Sequence, residues 1–146
     1  MTMRAFAVSL TIPDNEAFTA LETLGRLGIP AARLARSDVW LFEVDDAAAD
    51  GLRDAVSSIE TIFNPNKHRL VERASAKPEP GEVWIAARDE APATLVGGRA
   101  IPGVRAIRRR TGWRLYDDEG RPVSEATLAR AVETFLCNPA FQEALR

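Results

Sequence analysis

Apolar and polar residues alternate along the first segment of the chain. Within residues 4–12, every second position from Phe6 to Ile12 is apolar, and the positions between them are small or polar. A period of two predicts a β-strand with one face on a hydrophobic core. Pro13, which lacks a backbone N–H, is expected to end this strand.

The pattern then changes to the period of an amphipathic helix. Asp14 or Asn15 can accept hydrogen bonds from the free amides at a helix start, and Gly28 is suited to the left-handed conformation at its end. The apolar residues between these signals fall on one helical face: Phe18, Leu21 and Leu24. The sequence therefore predicts a helix that ends at Leu27-Gly28.

Residues 31–36 and 38–44 are typical of two further strands joined by a tight turn. A second amphipathic helix is predicted from Leu52 to the Asn64-Pro65 step, and His68 starts a fourth short strand. The order strand-helix-strand-strand-helix-strand is that of the ferredoxin-like, or βαββαβ, motif.

The second half begins after residues 74–81, a stretch rich in proline and glycine that predicts a linker. A strand at 83–87 is followed by residues 92–103, which show no helical period. Further along, the sequence predicts a hairpin and a helix that Ser124 can cap. The hairpin strands are 104–109 and 113–117, around Thr111-Gly112, and the helix ends at Asn138-Pro139.

Three segments of the first half recur in the same order in the second half. They are a strand that starts with tryptophan and ends in aspartates, a Leu-x-x-Ala-Val helix, and a Glu-Thr to Asn-Pro helix end. This self-similarity predicts a tandem duplication whose second copy has lost its first helix to the 92–103 loop. The predicted protein is α+β, with two tandem ferredoxin-like repeats and antiparallel sheets, the second repeat being degenerate. The predicted boundaries are 1–73 and 82–146, joined by 74–81, and the two repeats can also pack as one compact domain.

The first repeat resembles the small PurS-type subunit of phosphoribosylformylglycinamidine synthase. The resemblance covers residues 4–71 and rests on the Leu27-Gly28 helix end, the strand closing on Phe42-Glu43-Val44-Asp45, and the Asn64-Pro65 helix end. The second copy shows it more faintly. In large single-chain versions of that purine-biosynthesis enzyme, the N-terminal domain is a similar tandem pair. The resemblance implies a non-catalytic scaffold that bridges subunits of the amidotransferase.

Composition narrows the chemistry. The chain of 146 residues has a net charge of −2, one Cys, one His and one Tyr. A single cysteine, Cys137, excludes an internal disulfide, and one histidine with one cysteine excludes a Cys/His zinc site. No apolar run reaches the length of a membrane span, so we expect a cytoplasmic chain. The residue types present lead us to expect no metal or other cofactor.

Two polar groups are candidate binding sites. The first is an arginine cluster on the predicted hairpin, whose guanidinium groups could bind phosphates, nucleic acid or a partner's carboxylates. The second is the Asn66 and His68 pair beside the second helix end, for which a surface helix stop is the competing interpretation. The cluster comprises Arg105, Arg108, Arg109, Arg110 and Arg114.

Trp40 and Trp113 occupy equivalent positions in the two repeats and are expected to be core or interface anchors near a pseudo-twofold axis. These features favour a protein partner or a homo-oligomer over an enzyme. Two alternatives stay open. One is small-molecule sensing of the ACT type, and the other is phosphate or nucleic-acid binding through the 105–114 arginines. Nucleic acid ranks lower because only Trp113 and Tyr116 supply stacking groups near these arginines.

Overall fold

The computed structural model describes residues 1–146 and contains one six-stranded sheet and three α-helices. The α+β class predicted from the sequence is confirmed. The strands are β1 (Thr2–Leu10), β2 (Arg33–Val44), β3 (His68–Glu72), β4 (Glu82–Ala87), β5 (Val104–Tyr116) and β6 (Gln142–Leu145). The helices are α1 (Asn15–Arg26), α2 (Leu52–Ser57) and α3 (Glu125–Ala131). A 3-10 segment, Asp46–Gly51, precedes α2, and a π-helical turn, Val132–Leu136, follows α3.

The sheet has the strand order β3-β1-β2-β5-β4-β6. Strand β1 pairs antiparallel with β2 and β3, and β4 pairs antiparallel with β5 and β6. Each half of the chain therefore contributes three neighbouring strands, and its first strand lies between the other two. The outermost strands, β3 and β6, are the last strands of the two halves.

Two predicted turns are absent. Residues 31–36 and 38–44 were expected to be separate strands, yet β2 runs unbroken from Arg33 to Val44. The predicted hairpin around Thr111-Gly112 is likewise wrong, because β5 runs from Val104 to Tyr116. Two-residue hairpin turns need positive φ angles, and Gly112 does not adopt one. Each half thus has three strands where the βαββαβ motif has four.

The second helix is shorter than its apolar period predicts. Helix α2 ends at Ser57, and the apolar residues from Ile59 to Phe63 lie outside any regular helix. The hydroxyl of Ser57 donates to the carbonyl of Asp54 at 3.1 Å, and Ser58 donates to a carbonyl three residues back at 2.7 Å. Serine hydroxyls compete in this way with helical hydrogen bonding, so the apolar face continues while the regular helix stops.

The capping signals predicted for the first and last helices are confirmed, whereas the predicted end of the second helix at Asn64-Pro65 is wrong. Asp14 caps α1, since its Oδ1 accepts from the amides of Glu16 at 3.0 Å and Ala17 at 3.1 Å. Gly28 follows α1 with a φ of 77°. Ser124 caps α3 by accepting from the amide of Thr127 at 3.2 Å. The predicted strands that became β1, β3 and β4 are also present.

The chain divides into two compact units, and the long strands β2 and β5 pass through both. Unit 1 comprises Met1–Ile12, Asp38–Ala76 and Glu90–Arg109, whereas unit 2 comprises Pro13–Ser37, Lys77–Asp89 and Arg110–Arg146. Each unit draws on both halves of the sequence. The predicted boundaries at 73 and 82 follow chain order and stay a prediction about the repeats.

Each unit has its own hydrophobic core. The core of unit 1 is formed by residues of β1, β2, β5, α2, the segment after α2 and the 92–103 segment. They are Phe6, Val8, Trp40, Phe42, Val44, Leu52, Val56, Ile59, Ile62, Val96, Ile101 and Ile107. The core of unit 2 brings α1 together with β4, β5 and α3: Ala17, Ala20, Leu24, Ile29, Leu34, Val83, Ile85, Leu115, Val123, Leu128, Ala131 and Leu136. Helix α1 therefore lies in unit 2, and the non-helical 92–103 segment lies in unit 1.

Candidate functional site

The arginine cluster lies on one strand, β5. Successive side chains of a strand point to opposite faces, so Arg105 and Arg109 share one parity while Arg108, Arg110 and Arg114 share the other. Arg105, Arg108 and Arg109 belong to unit 1, whereas the remaining two belong to unit 2. The strand therefore does not present all of these guanidinium groups to a single ligand.

Carboxylates already engage two arginines of unit 1. The Nε of Arg105 lies 2.7 Å from Oδ1 of Asp45, and Nη2 of Arg109 lies 3.0 Å from Oδ2 of Asp38. The Arg109 guanidinium also lies 5.0 Å from the centre of the Trp40 ring, within the range of a cation–π contact. The partner charges lower the attraction that a phosphate would meet here.

The other arginines differ in their surroundings. Arg114 contacts Glu79 through Nη1 at 2.8 Å, and its guanidinium lies 5.4 Å from the Tyr116 ring centre. Arg110 is buried, with 9% of its surface exposed. Arg108 is half-buried and has no ion pair. Of the five, Arg108 is the guanidinium that a phosphate would meet without a competing carboxylate.

His68 closes the turn that follows α2. Its Nδ1 accepts from the amide of Asn64 at 2.9 Å, and its own amide donates to the Asn64 carbonyl at 2.8 Å. The amide of Asn66 donates to Oδ1 of Asn64 at 2.9 Å, and the imidazole lies 6.4 Å from the Phe63 ring centre. Because Nδ1 accepts this bond, the neutral ring carries its proton on Nε2. In this turn the side chains of His68 and Asn64 accept hydrogen bonds from backbone amides, and Asn66 takes part through its own backbone amide.

A second turn with the same hydrogen bonds follows α3. The Oε1 of Gln142 accepts from the amide of Asn138 at 2.9 Å, and the Gln142 amide donates to the Asn138 carbonyl at 2.8 Å. The amide of Ala140 donates to Oδ1 of Asn138 at 3.1 Å. Gln142 therefore takes the place that His68 takes in unit 1, with an amide oxygen where the imidazole offers a nitrogen.

The two tryptophans that the predicted repeat would make equivalent differ in burial. Trp40 is 6% exposed within the core of unit 1, while Trp113 is half-buried and packs against the core of unit 2. The Nε1 of Trp40 is buried without a hydrogen-bond partner. Trp113 instead lies beside open space.

That space is a cavity of about 440 Å³ in unit 2. One wall is the first turns of α1, and the opposite wall is Trp113 with the π-helical turn after α3. Its volume falls within the range of small-molecule sites. The lining residues are Asn15, Glu16, Thr19, Ala20, Trp113, Phe135 and Leu136.

The charge beside this cavity is set by one arginine and two carboxylates. Nε of Arg36 lies 3.0 Å from Oδ2 of Asp14, and Nη1 lies 3.4 Å from Oε2 of Glu16. Asp14 is mostly buried and also caps α1, whereas the Glu16 side chain is 73% exposed. Two carboxylates thus share one guanidinium, which leaves one negative charge uncompensated within this group.

A second ionic group lies in unit 1. Arg4 donates to Glu72 through Nε and to the carbonyl of Ala49 through Nη1 at 3.0 Å. The hydrogen bond to Glu72 raises the pKa of the Arg4 guanidinium. At Asp46, the Thr2 hydroxyl donates at 2.6 Å and, with the nearby amino terminus, lowers the pKa of the carboxyl.

Sequence reasoning missed the cavity. Phe18 and Leu21 mark α1 as amphipathic, and Phe135 fits the apolar face of the last helix, but neither pattern indicates a gap between the two. The gap arises because α1 packs in the unit that contains α3, a pairing that local periodicity cannot reveal. Asn15 lines the cavity, whereas the sequence indicates for it only a role as a helix cap.

A scan against protein-family models and a search of curated proteins returned no match for this chain. None of the helices combines the length and the apolar character needed to cross a bilayer.

Proposed function

We propose that the chain is a tandem duplication whose two copies interlock, and that it works as a protein-binding scaffold. Each copy has the order β-α-β-α-β, the first helix of the second copy being replaced by the 92–103 segment. The copies are ferredoxin-like units in which the two middle strands of the motif have merged into one long strand.

The strand registers support the duplication. In the first half, Phe6 pairs with Trp40, and the residue four positions after Phe6 pairs with His68. In the second half, Val83 pairs with Trp113, and the residue four positions after Val83 pairs with Gln142. The tryptophan and the turn acceptor are therefore matched to their first strands in the same way in both copies.

The Asn-Pro turns carry the proposal. Three hydrogen bonds around Asn64 recur around Asn138 with the same donors and acceptors, although His68 is replaced by Gln142. Chance similarity of amphipathic helices does not account for a repeated side-chain-to-backbone pattern. The conformation is retained while the imidazole is not, which favours a structural role for His68.

A duplicated pair of this kind is what the resemblance to PurS-type subunits implies. We therefore propose a non-catalytic module that bridges subunits of a purine-biosynthesis amidotransferase in the cytoplasm. In this proposal the module imitates within one chain the pairing of two identical subunits.

Exposed aromatic residues favour unit 2 as the docking unit. Phe18 is 65% exposed, Phe135 is 42% exposed and Phe141 is 72% exposed, and all three lie in unit 2. Aromatic side chains are the usual anchors of protein interfaces. Unit 1 exposes aliphatic residues and no phenylalanine to a comparable degree.

The test is whether the chain binds the isolated glutaminase and synthetase subunits of the amidotransferase from the same organism. Isothermal titration calorimetry measures the affinity for each subunit. We expect Phe18→Asp and Phe141→Asp to weaken binding at least tenfold with unchanged thermal stability. The matched control is Leu95→Asp, which alters an exposed apolar residue of unit 1. The proposal would be refuted if the wild-type chain bound neither subunit.

A second candidate, small-molecule sensing of the ACT type, is favoured by the unit 2 cavity. A thermal-shift screen with amino acids and nucleotides separates the two candidates, because a ligand at about 100 times its Kd adds about 2.7 kcal/mol of stability. Phosphate or nucleic-acid binding through the 105–114 arginines ranks third, since carboxylates contact Arg105, Arg109 and Arg114.

A further inference from the structure

We propose that the cavity of unit 2 is a binding site for a small amphipathic amine, with a hydrophobic body and one ammonium group. This inference uses the duplication proposed above to compare the units, but it does not depend on the amidotransferase partner. It rests on the shape of the cavity, its lining and its charge.

The apolar part of the lining selects the body of the ligand. Trp113, Phe135 and Leu136 form one wall, and Ala20 is the apolar contribution of α1. Phe135 is 42% exposed, so ligand binding would remove its ring from water. Burial of apolar area contributes roughly 25 cal/mol per Å², which favours an aromatic or branched aliphatic body.

The polar part of the lining selects the head group. Asn15, Glu16 and Thr19 supply an amide, a carboxylate and a hydroxyl from the first turns of α1. Glu16 is the one charged residue of the lining, and it shares Arg36 with Asp14. The net charge of −1 on these three groups exceeds the roughly half positive charge at the N-terminus of α1, so a cation is favoured over an anion. Trp113 and Phe135 add ring faces that attract ammonium groups.

The equivalent place in unit 1 is filled by the chain itself. There the 92–103 segment replaces the first helix, and Val96 joins Trp40 and Ile62 in the core. The segment approaches so closely that a Cβ added to Gly97 would lie 2.6 Å from Oγ1 of Thr61. Trp40 is consequently buried, whereas its counterpart Trp113 borders open space. In unit 1 the aliphatic side chain of Val96 is thus buried in the same cluster as Trp40.

The primary experiment compares three ligands with one body and different head groups. Phenethylamine, 2-phenylethanol and 3-phenylpropionate are titrated separately into the ¹⁵N-labelled full chain and followed by NMR. We expect the amine to shift the Trp113 indole and Thr19 amide signals. The alcohol should bind about two- to fivefold more weakly, since exposed ion pairs contribute modestly. The carboxylate should bind more weakly still.

Two variants locate the site. Glu16→Gln should reduce the preference for the amine over the alcohol to about onefold, while Glu22→Gln, on an exposed position of the same helix outside the lining, should leave it unchanged. Thr19→Tyr should fill the cavity and weaken the amine at least tenfold. The control Thr23→Tyr puts the same ring one turn further along α1. If Thr19→Tyr does not fold, the Glu16→Gln result decides.

Equal binding of the amine and the carboxylate would overturn the proposal. NMR shifts that the amine causes only in residues outside unit 2 would do so as well. The proposal would also be overturned if 10 mM amine gave no detectable binding. A Kd of 10 mM corresponds to a binding free energy of roughly −2.7 kcal/mol. Failure of the amine proposal can be told apart from failure of the scaffold proposal. Partner binding is measured without the amine, and its variants are at Phe18 and Phe141. If the amine fails but Thr19→Tyr abolishes partner binding, the cavity belongs to the protein interface and the amine proposal is wrong.

Discussion

Replacing His68 separates a structural histidine from a functional one. In the account above, His68 supplies one acceptor to the amide of Asn64, as Gln142 does for Asn138. The informative pair of variants is therefore His68→Gln, which copies the second turn into the first, and His68→Ala, which removes the acceptor.

The expected magnitudes follow from the hydrogen bond. The bond between the Asn64 amide and Nδ1 is 2.9 Å long, and both residues are half-buried. Leaving a buried donor unsatisfied costs about 1–3 kcal/mol, and the partial burial places His68→Ala near the lower end, at about 1–1.5 kcal/mol. His68→Gln should cost less than about 0.5 kcal/mol, because it keeps an acceptor. For a domain of this length the alanine variant should lower Tm by about 2–5 °C.

Urea denaturation followed by tryptophan fluorescence measures both free energies of unfolding. Gln142→Ala is the matched variant in the other turn and should behave like His68→Ala. Equal destabilisation by glutamine and alanine at position 68 would refute the structural interpretation. Loss of partner or ligand binding in His68→Gln at unchanged stability would do so as well.

Three further predictions concern packing and pH. Gly97→Ala should destabilise the chain by about 2–3 kcal/mol in urea denaturation, since φ is 58° and the added Cβ lies 2.6 Å from a hydroxyl; Gly98→Ala, with φ of 74° and open space, should cost about 1 kcal/mol. Leu24→Ala, in the core of unit 2, should cost about 2–5 kcal/mol by the same measurement. In an NMR titration, the lowered pKa of Asp46 should rise in Thr2→Ala, because the hydroxyl bond lowers it most. The Asp46 carboxylate stabilises the fold at pH values above its pKa in the unfolded state, and this stabilisation is lost as the pH falls through its lower pKa in the folded state. Thr2→Ala should therefore make the free energy of unfolding that is lost in acid smaller.

Local signals in the sequence predicted the elements better than their connections. Asp14 as a cap, Gly28 as a terminator and the alternation in β1 follow from hydrogen bonding and side-chain period, which act within a few residues. The same reasoning failed at Gly112, where a glycine suggested a turn. Whether a glycine turns or stays extended depends on the strand paired with it, here β4 at Trp84.

The candidate site shows the same limit. The recurrence of Trp40 at Trp113 and of Asn64 at Asn138 was visible in the sequence, and the hydrogen bonds around the two turns agree with it. The cavity was not visible, because it depends on α1 packing in the unit formed mainly by the other half. Packing between segments that are distant in the sequence leaves no local pattern in the chain.

The proposed interlocked duplication is tested most directly by cutting the chain in the predicted linker. Fragments 1–76 and 77–146 separate the two proposed copies, but each compact unit contains segments from both fragments. Circular dichroism and NMR of each fragment alone should therefore show an unfolded or poorly packed chain, whereas an equimolar mixture should recover the dispersed spectrum of the intact protein. A fragment 1–76 that folds alone, with the stability of the intact chain, would contradict the account.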